Sequence, residues 1–178
     1  MEPTNASLYG KGVFTTIAIV DGSPFLWENH WRRLSVNAET IGIDLTNYSK
    51  SVVADALAVS INEDQITNGR ARITFSDERP SATWPRESSD STKLSIITGG
   101  IRAIPNNFKL DVSPYPVNSL SPLAGVKSCN YLENLMAMDD AKSMKKTQAA
   151  CAPSRRRRRA SVPPRPMELG WMIFSSSR

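Results

Sequence analysis

The chain has 178 residues, 40% of them hydrophobic, and a formal net charge of +5, which gives it enough apolar material to bury a core and the length of one domain or of one domain plus part of another. No apolar run approaches the roughly 18 residues that a membrane helix needs, and the opening stretch MEPTNASLYGKG lacks the basic and apolar regions of a signal peptide. A soluble cytoplasmic protein is therefore the expectation.

The charge is local. Seven arginines and one glutamate fall after residue 146, leaving 15 basic and 16 acidic side chains before it. Nucleic acid is therefore not an expected partner of the body of the chain, and any affinity for phosphates would come from the run Arg155 to Arg159.

In chain order, GVFTTIAIV (Gly12 to Val20) is rich in β-branched residues and ends at Asp21-Gly22, a hairpin turn signal, before SPFLW resumes an extended pattern. From Glu28, Trp31, Leu34, Ala38 and Ile41 recur at helical spacing, with Gly42 where a helix-terminating glycine belongs. A second helix is expected across Ser49 to Ile61, with Val52, Val53, Ala56, Leu57 and Ile61 on its apolar face. Strands are expected to return in ARITF from Ala71, KLSIIT from Lys93 and FKLDVSPY from Phe108, the first two separated by an exposed loop rich in Pro, Ser and charge. This order, ββααβββ, is an α+β pattern.

A further helix is expected after Lys127. Asn130 and Glu133 stand as a capping-box variant, and Tyr131, Leu132, Leu135, Met136 and Met138 form the expected buried stripe. Lys127 would then lie just outside a helix N-terminus beside apolar Val126, where the helix dipole and burial both push an amine pKa down. A neutral amine is a nucleophile suited to attack on a carbonyl; the alternative is a solvated surface lysine. Cys129, Cys151 and the single histidine, His30, match no metal spacing and supply no Ser-His-Asp triad, so no metal is expected.

Three blocks carry a family resemblance: LYGKGVFTTIAIVDGSPFLWENHWRRL, GRARITFSDE and SPLAGVKSCNYLENLMAMDDAK. In this order they resemble the class IV (fold-type IV) pyridoxal-phosphate enzymes, which include branched-chain and D-amino acid aminotransferases and aminodeoxychorismate lyases. The resemblance implies an α+β small N-terminal domain of fold type IV followed by the start of an incomplete second domain. The expected division is an N-terminal domain over 1–118, an interdomain connection and the start of the cofactor domain over 119–146, and an Arg/Pro-rich disordered tail over 147–178.

It also implies roles. Lys127 would hold pyridoxal 5′-phosphate through a Schiff base and shuttle the substrate proton. Arg33 would meet the cofactor phosphate, with Arg32 facing outward, because guanidinium geometry suits a dianion. Tyr131 would approach the cofactor, while Tyr9 and Arg72 would lie on the substrate side, Arg72 able to receive a carboxylate. The implied reaction transfers an amino group between an amino acid and a 2-oxo acid, in an enzyme that is usually a homodimer. Aminodeoxychorismate-lyase-like chemistry in folate synthesis is the alternative within the family, and a non-catalytic fragment with a polyanion-binding tail is the alternative outside it.

The departures define a further expectation. The family's acidic partner of the pyridine nitrogen stands roughly 32 to 34 residues beyond the lysine; here that window holds Arg159, Ala160 and Ser161. The Ser-Asn-x-Phe segment, the later Gly-Thr phosphate loop and an initial strand before Tyr9 are not seen either. The resemblance stops after Lys146, and arginine runs arise when GC-rich codons are read out of frame. The sequence therefore reads as a truncated member with a frameshifted C-terminus and impaired activity.

Overall fold

A computed structural model of the chain describes residues 2–81, 91–101, 109–113, 115–116, 118–143 and 148–150. The arginine run 155–159, the window at Arg159 to Ser161, Phe108 and most of the loop after Arg79 lie outside the described residues. The chain forms two compact units: Met1–Arg102 with Gly125–Asn130, and Ala103–Ala124 with Tyr131–Arg178.

The first unit starts with a helix that the sequence pattern did not announce, α1 (Asn5–Tyr9), too short to persist alone. Thr4 and Ser7 close a reciprocal capping box at its start, and Gly10 ends it at φ 64°. Strand β1 (Gly12–Val20) and the two-residue β2 (Ser23–Pro24) form the expected hairpin. Its turn residues Asp21 and Gly22 both have positive φ, 49° and 73°, the backbone of the two-residue turns that match strand twist.

Helix α2 (Trp27–Thr40) follows, and the amide of Gly42 (φ 67°) closes its end on the carbonyl of Glu39. Helix α3 (Lys50–Glu63) is capped by Ser49, whose hydroxyl accepts from the Val52 amide at 3.2 Å. Strands β3 (Gly69–Asp77) and β4 (Thr92–Gly100) complete an antiparallel sheet in the order β2-β1-β3-β4.

Strand alternation sorts the side chains into two faces. Val13, Ile17 and Ile19 of β1 and Ala71, Ile73 and Phe75 of β3 point to the side of Leu34 and Ala38 from α2 and Val53, Leu57 and Ile61 from α3, forming one buried cluster. Tyr48 packs edge-on against Phe75, ring centroids 5.0 Å apart, and donates to the Thr92 carbonyl. Phe14, Arg70, Arg72 and Thr74 occupy the opposite face, where the register sets Phe14 against Thr74 and Thr16 against Arg72. Val52, expected on the apolar face of its helix, is half exposed; it lies one residue off the row Val53, Leu57, Ile61 that meets the sheet.

In the second unit, β5 (Leu110–Val112) does not extend the main sheet but pairs in parallel with β6 (Gln148–Ala150). Helix α4 (Leu132–Ser143) buries Ala137 and Ala141, whereas Leu132, Leu135 and Met136 are exposed and Tyr131 and Met138 are half-buried. The expected buried stripe is thus corrected. The helix buries its small alanine face, and the larger apolar side chains stand on the other side.

Candidate active site

Gly125–Asn130 belongs to the first unit and is bridged to the edge of β1 at the end that β2 leaves uncovered. The Phe14 amide donates to the Lys127 carbonyl at 3.0 Å and the Cys129 amide donates to the Gly12 carbonyl at 2.7 Å, flanking an antiparallel bridge between Val13 and Ser128. Gly12 is required by this approach: a Cβ there would lie 2.9 Å from Cys129 Sγ and 3.1 Å from the Phe75 carbonyl oxygen. Alternation along the segment turns Ser128 inward with Val13 and sets Lys127 beside Phe14.

Lys127 Nζ stands 4.5 Å from the centroid of the Phe14 ring, and the guanidinium carbon of Arg72 stands 3.7 Å from the same centroid, both within cation–π range. Burial, followed by the charges of Arg33 and Arg72, lowers the Lys127 pKa from 10.5 to about 8. The lowered pKa and its leading cause, burial, agree with the sequence expectation, and the charges of Arg33 and Arg72 add a contribution that the sequence did not announce.

Arg33 reaches the site from α2. Its Nη2 donates to Thr15 Oγ1 at 2.5 Å and approaches His30 Nδ1 at 3.3 Å, while Thr15 Oγ1 and His30 Nδ1 are 2.7 Å apart. Arg32, one residue earlier, is exposed. Burial, then the charge of Arg33, lowers the His30 pKa. Burial raises the Cys129 pKa, offset in part by the charge of Arg72 and a hydrogen bond from it.

The structure therefore brings Lys127, Arg33 and Arg72 into one electrostatic cluster. Tyr9 closes α1 and is 42% exposed, and Tyr131 belongs to the second unit. Sequence reasoning missed Phe14, Thr15 and His30. Thr15 carried a readable signal: it is a polar residue in the inward register of Val13, Ile17 and Ile19, is fully buried, and so needs a hydrogen-bond partner.

The sequence matches the family described as "Amino-transferase class IV" over residues 12–152. The chain belongs to the class IV aminotransferase family. A Methanocaldococcus jannaschii protein, provisionally named a branched-chain-amino-acid aminotransferase, is 29% identical over 139 residues, covering 73% of this chain and 46% of that protein. Among solved structures, a Legionella pneumophila chain provisionally titled 4-amino-4-deoxychorismate lyase superposes with a TM-score of 0.75 at 24% identity, covering 85% of this chain and 55% of its own. The Escherichia coli branched-chain amino acid aminotransferase gives a TM-score of 0.74 at 19% identity, covering 85% and 52%. The class IV fold is thus present, and the chain spans about half the length of the relatives it matches.

Proposed function

We propose that this chain carries the lysine-bearing part of a pyridoxal-phosphate site and that its chemistry is transfer of an amino group between an amino acid and a 2-oxo acid. The observation that carries the reading is Lys127, a half-buried amine with a pKa of about 8 beside two guanidinium groups. The donor set fits the cofactor: a dianionic phosphate offsets the repulsion among clustered cations, and an aldehyde is attacked by an amine that loses its proton easily. Proteins of this fold have been solved with the cofactor bound.

In this reading Arg33 would hold the phosphate, and Lys127 Nζ would be the amine that links to the cofactor's aldehyde carbon with loss of water. As a free amine, Lys127 Nζ would take up the proton of the substrate α-carbon and give it back. When bound, the cofactor supplies an electron sink for the charge left by that proton. Phe14 holds the lysine stem against the sheet. Arg72 would receive a substrate carboxylate, and Tyr9 would line the substrate side. A homodimer is the proposed assembly.

A second reading within the same family is 4-amino-4-deoxychorismate lyase chemistry, since a chain so titled shares the fold. Both readings need the same lysine, so the first experiment addresses it. The purified chain and Lys127→Ala are incubated with pyridoxal phosphate, followed by absorbance, borohydride reduction and mass mapping. A visible band absent from the variant, with the reduced adduct on Lys127, is expected; an equal adduct in Lys127→Ala sinks the assignment. Parallel incubations with amino acid and 2-oxo acid pairs and with 4-amino-4-deoxychorismate then separate the two readings.

A further inference from the structure

We infer that Thr15 and His30 are positioning residues that form a seat for the Arg33 guanidinium and aim it at the cofactor phosphate. The inference rests on the reading that Arg33 meets that phosphate, and it adds two residues that act only through Arg33.

The argument begins with donors and acceptors. A guanidinium has no acceptor, so Arg33 Nη2, 3.3 Å from His30 Nδ1, can donate there only to a bare lone pair. The Thr15 hydroxyl accepts from Arg33 Nη2 and has one hydrogen to give, and the ring nitrogen 2.7 Å away is the acceptor that uses it. Both donations converge on Nδ1, which puts the imidazole proton on Nε2 and leaves the ring neutral. The lowered His30 pKa, caused by burial and then by Arg33, favours the same state.

The elements fix this triangle. Thr15 is fully buried in the middle of β1, where its strand neighbours Phe14 and Thr16 are locked into register with β3. His30 and Arg33 are three apart on α2 and share one helix face. A flexible arginine is thereby held at one amino nitrogen by a hydroxyl on a rigid strand and a ring on its own helix. Ordering the side chain before the ligand arrives lowers the entropy lost on binding.

The test uses the full chain and two probes, pyridoxal phosphate and pyridoxal, which differ only in the phosphate. Equilibrium binding is measured for the wild type, Thr15→Val, Thr15→Ser, Arg33→Ala and Thr15→Val/Arg33→Ala. Thr15→Val is expected to weaken pyridoxal phosphate roughly tenfold, the scale of a lost hydrogen bond to a charged group, with pyridoxal unaffected and Thr15→Ser close to wild type. In the Arg33→Ala background, Thr15→Val should have no further effect. Because His30 is the only histidine, its nitrogen-15 spectrum reads the tautomer directly, and Nδ1 is expected to be unprotonated at neutral pH.

The outcomes separate the two claims. If Arg33→Ala leaves pyridoxal phosphate binding unchanged, the reading of Arg33 as a phosphate ligand fails. If Arg33→Ala weakens binding but Thr15→Val does not, or acts equally with and without Arg33, the seat fails alone; a protonated Nδ1 also overturns it. Absence of pyridoxal phosphate binding by the wild type overturns both.

Discussion

Lys127 is a cation in half-buried surroundings with two more cations near it, and its pKa of about 8 follows from that placement. Labelling of the intact chain with an amine-selective reagent should show Lys127 modified with a midpoint near pH 8, well before ordinary lysines respond. A midpoint at the usual 10.5 would show that the amine is solvated. For stability the sign is opposite to that of a paired lysine. Between the two pKa values the unfolded chain holds the proton that the folded chain has lost, so Lys127 makes stability rise with pH across that window. The position of this lysine and its burial were legible in the stretch AGVKSCN, but the two neighbouring charges were not, because Arg33 and Arg72 stand far from it in sequence. His30 was weighed only as a metal or triad residue, although it stands in the His-x-x-Arg-Leu pattern of the resemblance; its pairing with Thr15 follows from the packing of α2 on β1.

Among the elements, α1 and β3 meet at Asp77, a nearly buried carboxylate. Lys11 Nζ lies 3.1 Å from it, Asn5 donates to it at 3.2 Å, and Arg79 contacts both oxygens, with Nε at 2.8 Å. Burial alone would raise the pKa of this group, but the hydrogen bonds from Arg79, Lys11 and Asn5 outweigh it and hold the carboxyl well below the usual range. The stabilisation is present above the unfolded value of 3.8 and is lost as pH falls toward the folded one. Asp77→Asn should therefore cost about 3 kcal/mol at neutral pH, since breaking a buried ion pair strands its partners. The difference from wild type should shrink in urea unfolding below pH 3.8; a constant difference across pH would show that the charge is immaterial.

Gly12 ties β1 to the lysine segment. Gly12→Ala should destabilise by about 1–3 kcal/mol through overpacking and reduce Lys127 labelling, with partial recovery in Gly12→Ala/Cys129→Ala because the 2.9 Å contact with Sγ is removed. No recovery would place the conflict at the Phe75 carbonyl instead. The hairpin, α2 and α3 were readable because turn chemistry, periodicity and the Ser49 cap act locally. Helix α1 was not, because it depends on contacts with Asp77 and with the Arg79 carbonyl, which accepts from the Asn5 amide at 3.1 Å.

For the molecule as a whole, α4 leaves Leu132, Leu135 and Met136 exposed at 65%, 47% and 54%. A contiguous apolar row of this kind promotes association. Sedimentation velocity should show concentration-dependent self-association of the chain, reduced in Leu135→Glu/Met136→Glu with the thermal unfolding of the sheet unit unchanged. A wild type that stays monomeric at high concentration would show that the row is inert. Helical periodicity announced these side chains as apolar, yet it cannot say which face of a helix finds a partner; here Ala137 and Ala141 do. Finally, the return of Gly125–Asn130 to the edge of β1 gives the site a place in time. The contact of Lys127 with Phe14 closes almost the longest loop available to the unit, whereas β1, β2 and β3 join over much shorter stretches of chain. Since closing a longer loop costs more entropy, this contact is expected to form after the sheet that receives it. Lys127 would then keep the pKa of an ordinary lysine until its segment docks, so its acidity reports completion of the fold.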